Sequence, residues 1–170
     1  MKKALLALLL MLGVSAFSFD TVPFQVGLWP PKIQIVPDEI NVAGVKINFP
    51  YGGNKNITGL DIGFASVSDN TSALQLNLII NQAHEQFSGV QMGIVNQAER
   101  SEWFSFGILN MTNERARGIQ IGLLNSAMEM RGFQLGLINY TEMMTGLQIG
   151  VANFICESPV PFFPFINFCF

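Results

Sequence analysis

The stretch Gly89-Val90-Gln91-Met92-Gly93-Ile94-Val95-Asn96 recurs along the C-terminal half of this chain. It returns as residues 118–125, 132–139 and 146–153, and a degraded copy, residues 103–110, lies between the first two. Each full copy keeps a first glycine, a glutamine, a second glycine and an asparagine at the same places, and the closing asparagines are 14, 15, 14 and 14 residues apart. A fixed period of this kind predicts a repeat architecture.

The repeat extends over nearly the whole chain once the same unit is sought on both sides. Upstream copies are residues 23–30, 44–51, 59–66 and 73–80, and a downstream copy, residues 161–168, keeps the hydrophobicity but not the Gly and Gln. Only residues 31–43 break the step, and there Ile33-Gln34-Ile35 is a short strand-like piece. The repeat therefore predicts one continuous β-repeat domain.

Within each unit, apolar residues alternate with Gly, Gln or another small or polar residue. Val90, Met92 and Ile94 are the apolar residues of one copy, and every other copy from residue 44 to residue 153 follows the same rule. Alternation of this kind is typical of a β-strand with one apolar face. The connectors carry the charged residues and the turn-forming Gly, Asn, Asp and Ser.

These features predict an all-β fold of about ten short strands. Eight extended residues span roughly 26 Å, and six connecting residues reach back only about 20 Å, which favours hairpins. We therefore expect an antiparallel meander that closes into a small barrel, because open sheet edges promote aggregation. The alternative is a β-solenoid of 14–15-residue coils, in which identical Gln and Asn side chains would stack.

We interpret the residues that recur from copy to copy of the unit as structural, because their amides are suited to hydrogen bonds between neighbouring strands. Such amides could also bind a sugar or a peptide. The repeat-defining residues are Gly89, Gln91, Gly93, Asn96, Asn110, Gly118, Gln120, Gly122, Asn125, Gly132, Gln134, Gly136, Asn139, Gly146, Gln148, Gly150 and Asn153. At the glutamine position two earlier copies have Lys46 and Asp61, one strand apart, and we expect these two to pair or to be solvated.

The N-terminus predicts export. Met1-Lys2-Lys3 is followed by an apolar run and by the small residues Val14-Ser15-Ala16, as in a secretory signal peptide. We assign residues 1–16 to a cleaved signal peptide and residues 17–170 to a single β-repeat domain. The chain has nine Lys and Arg against twelve Asp and Glu. Without Lys2 and Lys3 the net charge becomes 7 − 12 = −5, so no basic patch predicts nucleic-acid binding.

The C-terminus predicts the outer membrane. Ile166, Phe168 and Phe170 alternate, and the chain ends on Phe170, which resembles the terminal strand of bacterial outer-membrane barrels. We take these three residues as a candidate assembly signal. The charged fraction is only 12%, about half that of soluble domains. Whether Val90, Met92, Ile94 and their equivalents face lipid or one another is open, and the second case would make a soluble module.

The sequence contains few residues that could form a catalytic or metal-binding site. His84, next to Glu85, lies in a polar connector and is the only histidine, and Cys156 and Cys169 have no metal-binding spacing. If the last repeats form a hairpin, Cys156 and Cys169 lie about 20 Å apart, too far for a disulfide. We predict no catalytic residues, no metal and no cofactor, and hence a protein that is not an enzyme.

The tandem Gly-Leu-Gln-Ile-Gly-Leu-x-Asn motif resembles a family of exported bacterial surface-repeat proteins, mostly uncharacterised. The resemblance covers nearly the whole mature chain and includes residues 24–30, 51–56 and 161–170, while the copies at Trp103 and Pro161 depart from the pattern. It implies the outer membrane or cell surface of a diderm bacterium. The predicted barrel with its C-terminal strand makes outer-membrane lipid and the barrel-assembly machinery the expected partners. We therefore expect a structural or surface-interaction role, or alternatively a secreted soluble module that binds a protein or a surface polymer.

Overall fold

The computed structural model describes residues 20–28 and 33–170, without the side chains of Leu28, Ile33 and Gln34. The predicted signal peptide, residues 1–16, lies outside the described residues. The protein is all-β, with no helix among the described residues. Its strands are β1 (Thr21–Leu28), β2 (Ile33–Gln34), β3 (Asn41–Ile121), β4 (Leu124–Leu135), β5 (Ile138–Ile155) and β6 (Phe162–Cys169), and they form one mixed sheet in the order β2-β1-β3-β4-β5-β6.

The strands are wound rather than folded back and forth. In β4 and β5, Gly132 pairs in parallel with Gly146, and Gly118 at the end of β3 pairs in parallel with Gly132. Within β3, which has 81 residues, Asn81 bonds to Asn96, 15 residues away, and Asn96 bonds to Asn110, 14 residues away. Each repeat therefore lies directly on the next, in the parallel register of the alternative prediction, a β-solenoid. We call one such turn of 14–16 residues a coil.

The predicted antiparallel meander is wrong for these repeats, because they pair in parallel, and the predicted barrel is not confirmed, because the sheet is not closed. The chain turns inside the unit rather than only in the connector. It bends at Gly122-Leu123 and Gly136-Leu137, where β3 and β4 end, and it turns again at the first glycine, whose φ is positive. The prediction of hairpins assumed that a short connector must return along a straight eight-residue strand. Because the chain also turns inside the unit, no connector has to do so.

Both ends of the stack carry an antiparallel strand. β2, which is the short piece predicted around residues 33–35, pairs with β1, and β6 pairs with β5. In the second pair Cys169 lies opposite Gly146, whereas Cys156 follows the other end of β5, so the two thiols lie at opposite ends of the hairpin and are free. These strands cover the last sheet edges, as capping elements do in other repeat proteins.

The interior of the coils is polar on one side and apolar on the other. The buried polar side is built from the glutamine and asparagine positions of the unit. The apolar side contains two clusters, one with Phe87 between Ala83 and Ala98, and one around Met130 and Ile155. The side chains that the sequence pattern marks as hydrophobic in the repeat unit are therefore not the core of this protein.

Candidate functional site

The most unusual surface of the molecule is an apolar face that points away from the interior. None of its members is buried, and none is charged. We call it the outer face, and it consists of Val45, Ile47, Phe49, Leu60, Ile62, Phe64, Leu74, Leu76, Leu78, Val90, Met92, Ile94, Phe104, Phe106, Ile108, Ile119, Ile121, Leu123, Phe133, Leu135, Leu137, Leu147, Ile149 and Val151. Leu137, for example, is 52% exposed, whereas the neighbouring Gln134 is fully buried.

The outer face continues into the strands at both ends. In β1, Phe24 pairs in register with Val45, and in β6, Phe168 and Ile166 pair with Leu147 and Ile149. Rows of strand about 4.8 Å apart make this surface roughly 40 Å long and roughly 15 Å wide, on the order of 600 Å². The candidate assembly residues Ile166, Phe168 and Phe170 are all exposed at its C-terminal end, with Phe170 91% exposed.

An open groove of about 900 Å³ runs along the outer face, across the strands. Its floor is the second glycine of five coils, Gly63, Gly93, Gly107, Gly122 and Gly136, with Asn77 at the same place in a sixth, and its walls are the apolar side chains on either side of that position. The glycines also face the interior, where a Cβ at Gly136 would overlap the amide of Asn125 and the carbonyl oxygen of Gly122. The groove is therefore a consequence of the space that the buried asparagines require.

The repeat-defining asparagines, together with Asn81, form a continuous asparagine ladder (Asn81, Asn96, Asn110, Asn125, Asn139 and Asn153). In the first five, Nδ2 donates to the Oδ1 of the next asparagine at 2.8 Å. The same amide donates to the carbonyl oxygen before the second glycine of the next coil, as Asn125 does to Leu135 at 2.9 Å. Stacked in this way, the asparagine side chains make their hydrogen bonds inside the protein.

The glutamines behave similarly. Gln148 donates to Gln134 at 2.9 Å, and Gln134 donates to Gln120 at 2.7 Å, which gives a glutamine ladder of these three residues. In the degraded copy the serine at this position, Ser105, accepts from Gln91 at 2.7 Å. These side chains are buried, so a ligand at the surface does not reach their amides.

Lys46 and Asp61 occupy the glutamine position in the N-terminal coils, and both are fully buried. They lie on neighbouring coils as predicted, but Ser66 links them: Lys46 Nζ donates to Ser66 Oγ at 3.0 Å, and Ser66 Oγ donates to Asp61. Lys46 also donates to the carbonyl oxygen of Gly52 at 3.0 Å, and Asp61 accepts from Gln75 at 2.9 Å and from Asn48. Burial lowers the pKa of Lys46 from its ordinary value to about 8, against the opposing attraction of Asp61 and Asp38.

The other predicted features give no chemical site in the described part of the chain. His84 is exposed, as is the neighbouring Glu85. Within residues 20–28 and 33–170 no three His, Cys, Asp or Glu side chains are placed to hold a metal ion. No helix of these residues is long and apolar enough to cross a bilayer.

Sequence reasoning missed two features of this surface. In three coils the residue after the third apolar position is also apolar and exposed, as in Leu78-Ile79, Leu123-Leu124 and Leu137-Ile138, and this pair of adjacent hydrophobic residues marks the corner of those coils. Ser66 was not identified because its role depends on a contact between two coils. No protein-family model matches the chain, and neither a curated protein nor a solved structure is significantly similar to it.

Proposed function

We propose that this chain is a non-enzymatic outer-membrane or cell-surface protein of a diderm bacterium that associates with a lipid surface through its outer face. The observation that carries the proposal is the direction of the apolar side chains. Soluble monomers rarely expose a contiguous apolar patch of more than a few hundred Å², and larger patches mark partner or membrane surfaces. The outer face, at roughly 600 Å², is as large as the largest apolar patch of a typical monomer, which is itself often functional, and it has no charged member.

The architecture supports surface association without a transmembrane barrel. The polar groups of the backbone are used between coils, and the interior is filled by side chains, so the apolar face contacts a bilayer from outside and encloses no pore. The predicted signal peptide and the resemblance to exported surface-repeat proteins favour the same location. Recognition by the barrel-assembly machinery rested on a closed barrel, so we retain only the lipid surface as the proposed partner.

A second candidate is a secreted soluble module that binds a protein or a surface polymer. The groove on the outer face favours it, because a groove of about 900 Å³ with a glycine floor has the dimensions of a ligand site. In this case the protein would remain free of membranes until it meets its partner.

Flotation of the mature chain with phosphatidylcholine vesicles separates the two. We expect co-flotation of the wild type, and loss of it in the double variant Ile108→Asn/Leu137→Asn, which places amides on the outer face. The matched control is Met128→Asn/Met143→Asn, which changes two exposed apolar residues outside that face and should float like the wild type. A folded wild-type chain that stays in the aqueous fraction would overturn the membrane proposal and favour the soluble module.

A further inference from the structure

A row of charged and polar side chains borders the outer face, immediately before the first glycine of each coil. In consecutive coils this row contains Glu102, Arg117 and Arg131. Arg117 and Arg131 pair in register on adjacent strands, and both are exposed. Like charges in directly opposite positions repel each other. Two exposed arginines in register at this border therefore form a local positive site that an anion would stabilise.

The two arginines differ in their own partners. Arg131 Nε donates to Glu129 at 2.8 Å, and Glu129 also accepts from Arg115 at 2.8 Å. Arg117 has no ion pair among the described residues, although Glu102 precedes it in the row. Arg117 is thus the guanidinium of this border that is available to an external anion.

Trp103 stands at the same border in an unusual backbone conformation. Its φ is 91°, and it occupies the place at which the other coils from residue 89 onward have a glycine with positive φ. A non-glycine residue in this region costs about 1–3 kcal/mol, and such strain is concentrated at functional sites. The indole is 68% exposed, next to Phe104 of the outer face.

Trp103 and Arg117 line one cavity. It has a volume of about 350 Å³ and is bounded by Glu102, Trp103, Phe104, Arg117, Gly118 and Ile119. One wall of the cavity thus belongs to the outer face and the other to the charged row. Trp and Tyr are enriched where membrane proteins meet the headgroup region, and Arg binds phosphate through two parallel hydrogen bonds.

We propose that Arg117, with Arg131 beside it, binds the phosphate of an anionic lipid headgroup, and that Trp103 lies in the headgroup region while the outer face contacts the acyl chains. This inference rests on the proposed association with lipid. The occupant is argued from charge complementarity: without Lys2 and Lys3 the chain has a net charge of 7 − 12 = −5, so an anionic bilayer repels it on average, and attraction requires a local cationic site at the edge of the apolar face.

Glu102 provides a further test of the proposed contact between Arg117 and a lipid phosphate. A carboxylate beside Arg117 competes with a lipid phosphate for the same guanidinium. Glu102→Gln should therefore strengthen binding to anionic vesicles, while Arg117→Gln should weaken it. Because removal of any carboxylate also weakens the general repulsion from an anionic bilayer, the loss in Arg117→Gln, compared with the loss of a distant cation, carries the assignment.

The experiment measures binding of the mature chain to phosphatidylcholine vesicles and to vesicles that also contain phosphatidylglycerol. Wild type should bind the second kind more tightly, and Arg117→Gln should reduce that affinity about fivefold, since an arginine near an anionic surface contributes about 1 kcal/mol, and leave binding to pure phosphatidylcholine unchanged. The matched control is Lys55→Gln, which removes one exposed positive charge in an N-terminal coil and should behave like the wild type.

A second readout follows Trp103 itself. In a Trp29→Phe background, Trp103 fluorescence should shift to the blue with phosphatidylglycerol-containing vesicles, and inorganic phosphate alone should produce no shift. A shift with inorganic phosphate would identify a site for the free ion and overturn the lipid assignment. Equal loss of affinity in Arg117→Gln and Lys55→Gln would overturn the headgroup site, whereas absence of binding to either kind of vesicle would overturn the proposed function itself.

Discussion

The C-terminal and N-terminal coils use the same positions of the repeat in different ways. In residues 118–153 the buried amides form the glutamine ladder and the end of the asparagine ladder, with every coil bonded to the next in the same way. In residues 44–77 the glutamine position holds Lys46 and Asp61, and Ser66 and Asn48 complete the cluster. The buried oxygens without a hydrogen-bond partner among the described residues are Gln25 Oε1, Asn48 Oδ1, Asn54 Oδ1, Gln75 Oε1 and Gln148 Oε1, and only the last belongs to the C-terminal coils.

This difference shows that the bonds which hold coils together are not the bonds which decide which coils are neighbours. A glutamine can donate to the glutamine of any neighbouring coil, so identical coils do not specify which one lies next to which. Lys46 and Asp61 are satisfied only when their two coils are adjacent, because no other coil in the described residues offers a buried opposite charge at that position. Buried polar groups fix register in other repeat structures, at a cost in stability. We expect the N-terminal cluster to set the register of the whole stack.

The largest expected effect is at Asp61. Asp61→Ala leaves Lys46 buried without its opposite charge and removes the acceptor of Ser66, Asn48 and Gln75, so it should lower the free energy of unfolding by about 3–5 kcal/mol. Gln134→Ala, at the same position in a C-terminal coil, should cost only about 1–3 kcal/mol. Urea unfolding followed by circular dichroism measures both. Equal losses would show that the two regions do not differ in this respect.

Asparagine ladder residues should come next. Asn139 is buried, accepts from Asn125, and donates to Asn153 and to the carbonyl oxygen of Ile149. Asn139→Ala should therefore cost about 2–3 kcal/mol, because it leaves buried partners unsatisfied. The control is Asn113→Ala, whose side chain is exposed and donates to Glu99 at 2.7 Å in a solvent-exposed hydrogen bond, and which should cost less than about 0.5 kcal/mol. Comparable costs for both asparagines in thermal or urea unfolding would contradict the structural role of the ladder.

The N-terminal cluster should also give the stability a pH dependence. The pKa of Lys46 is about 8 in the folded protein and 10.5 in the unfolded chain, so between these values the unfolded chain binds more protons. Stability should then rise with pH, by about 2 kcal/mol from pH 8 to pH 10. The double variant Lys46→Gln/Asp61→Gln, which extends the glutamine pattern of the C-terminal coils, should lack this rise. Parallel pH profiles of the two proteins would sink the assignment to Lys46.

The smallest expected effect concerns the first glycine. Trp103→Gly relieves the strain of about 1–3 kcal/mol at this positive φ, but glycine also has more conformational freedom in the unfolded chain, so the net stabilisation should be about 1 kcal/mol. Gly132→Ala is the opposite test: its Cβ would overlap the carbonyl oxygen of Gly118, and it should destabilise by more than about 1 kcal/mol. Denaturation midpoints measure both. A Trp103→Gly variant less stable than the wild type would mean that the indole contributes packing that outweighs the backbone strain.

Much of the local structure could be predicted from the sequence. The period, the strand character, the short piece at β2 and the C-terminal hairpin all follow from alternation and from turn-forming residues. The candidate site could be predicted only in part. Lys46 and Asp61 were expected on adjacent strands, but the link through Ser66 and the border formed by Trp103, Arg117 and Arg131 depend on which coil lies beside which. Those neighbours differ between a meander and a solenoid.

The sequence determined that this chain is a series of near-identical β units, because a two-residue alternation and a constant period leave few other structures, but not whether these units stack in parallel or run as an antiparallel meander. It did not determine which side of each strand faces inward, since alternation gives two faces and the unit contains Gly, Gln and Asn on one and Leu, Ile and Phe on the other. The tertiary structure decided this point. Parallel stacking places identical amides one coil apart, where each can donate to the next, so the polar residues are satisfied inside and Val90, Met92, Ile94 and their equivalents point outward.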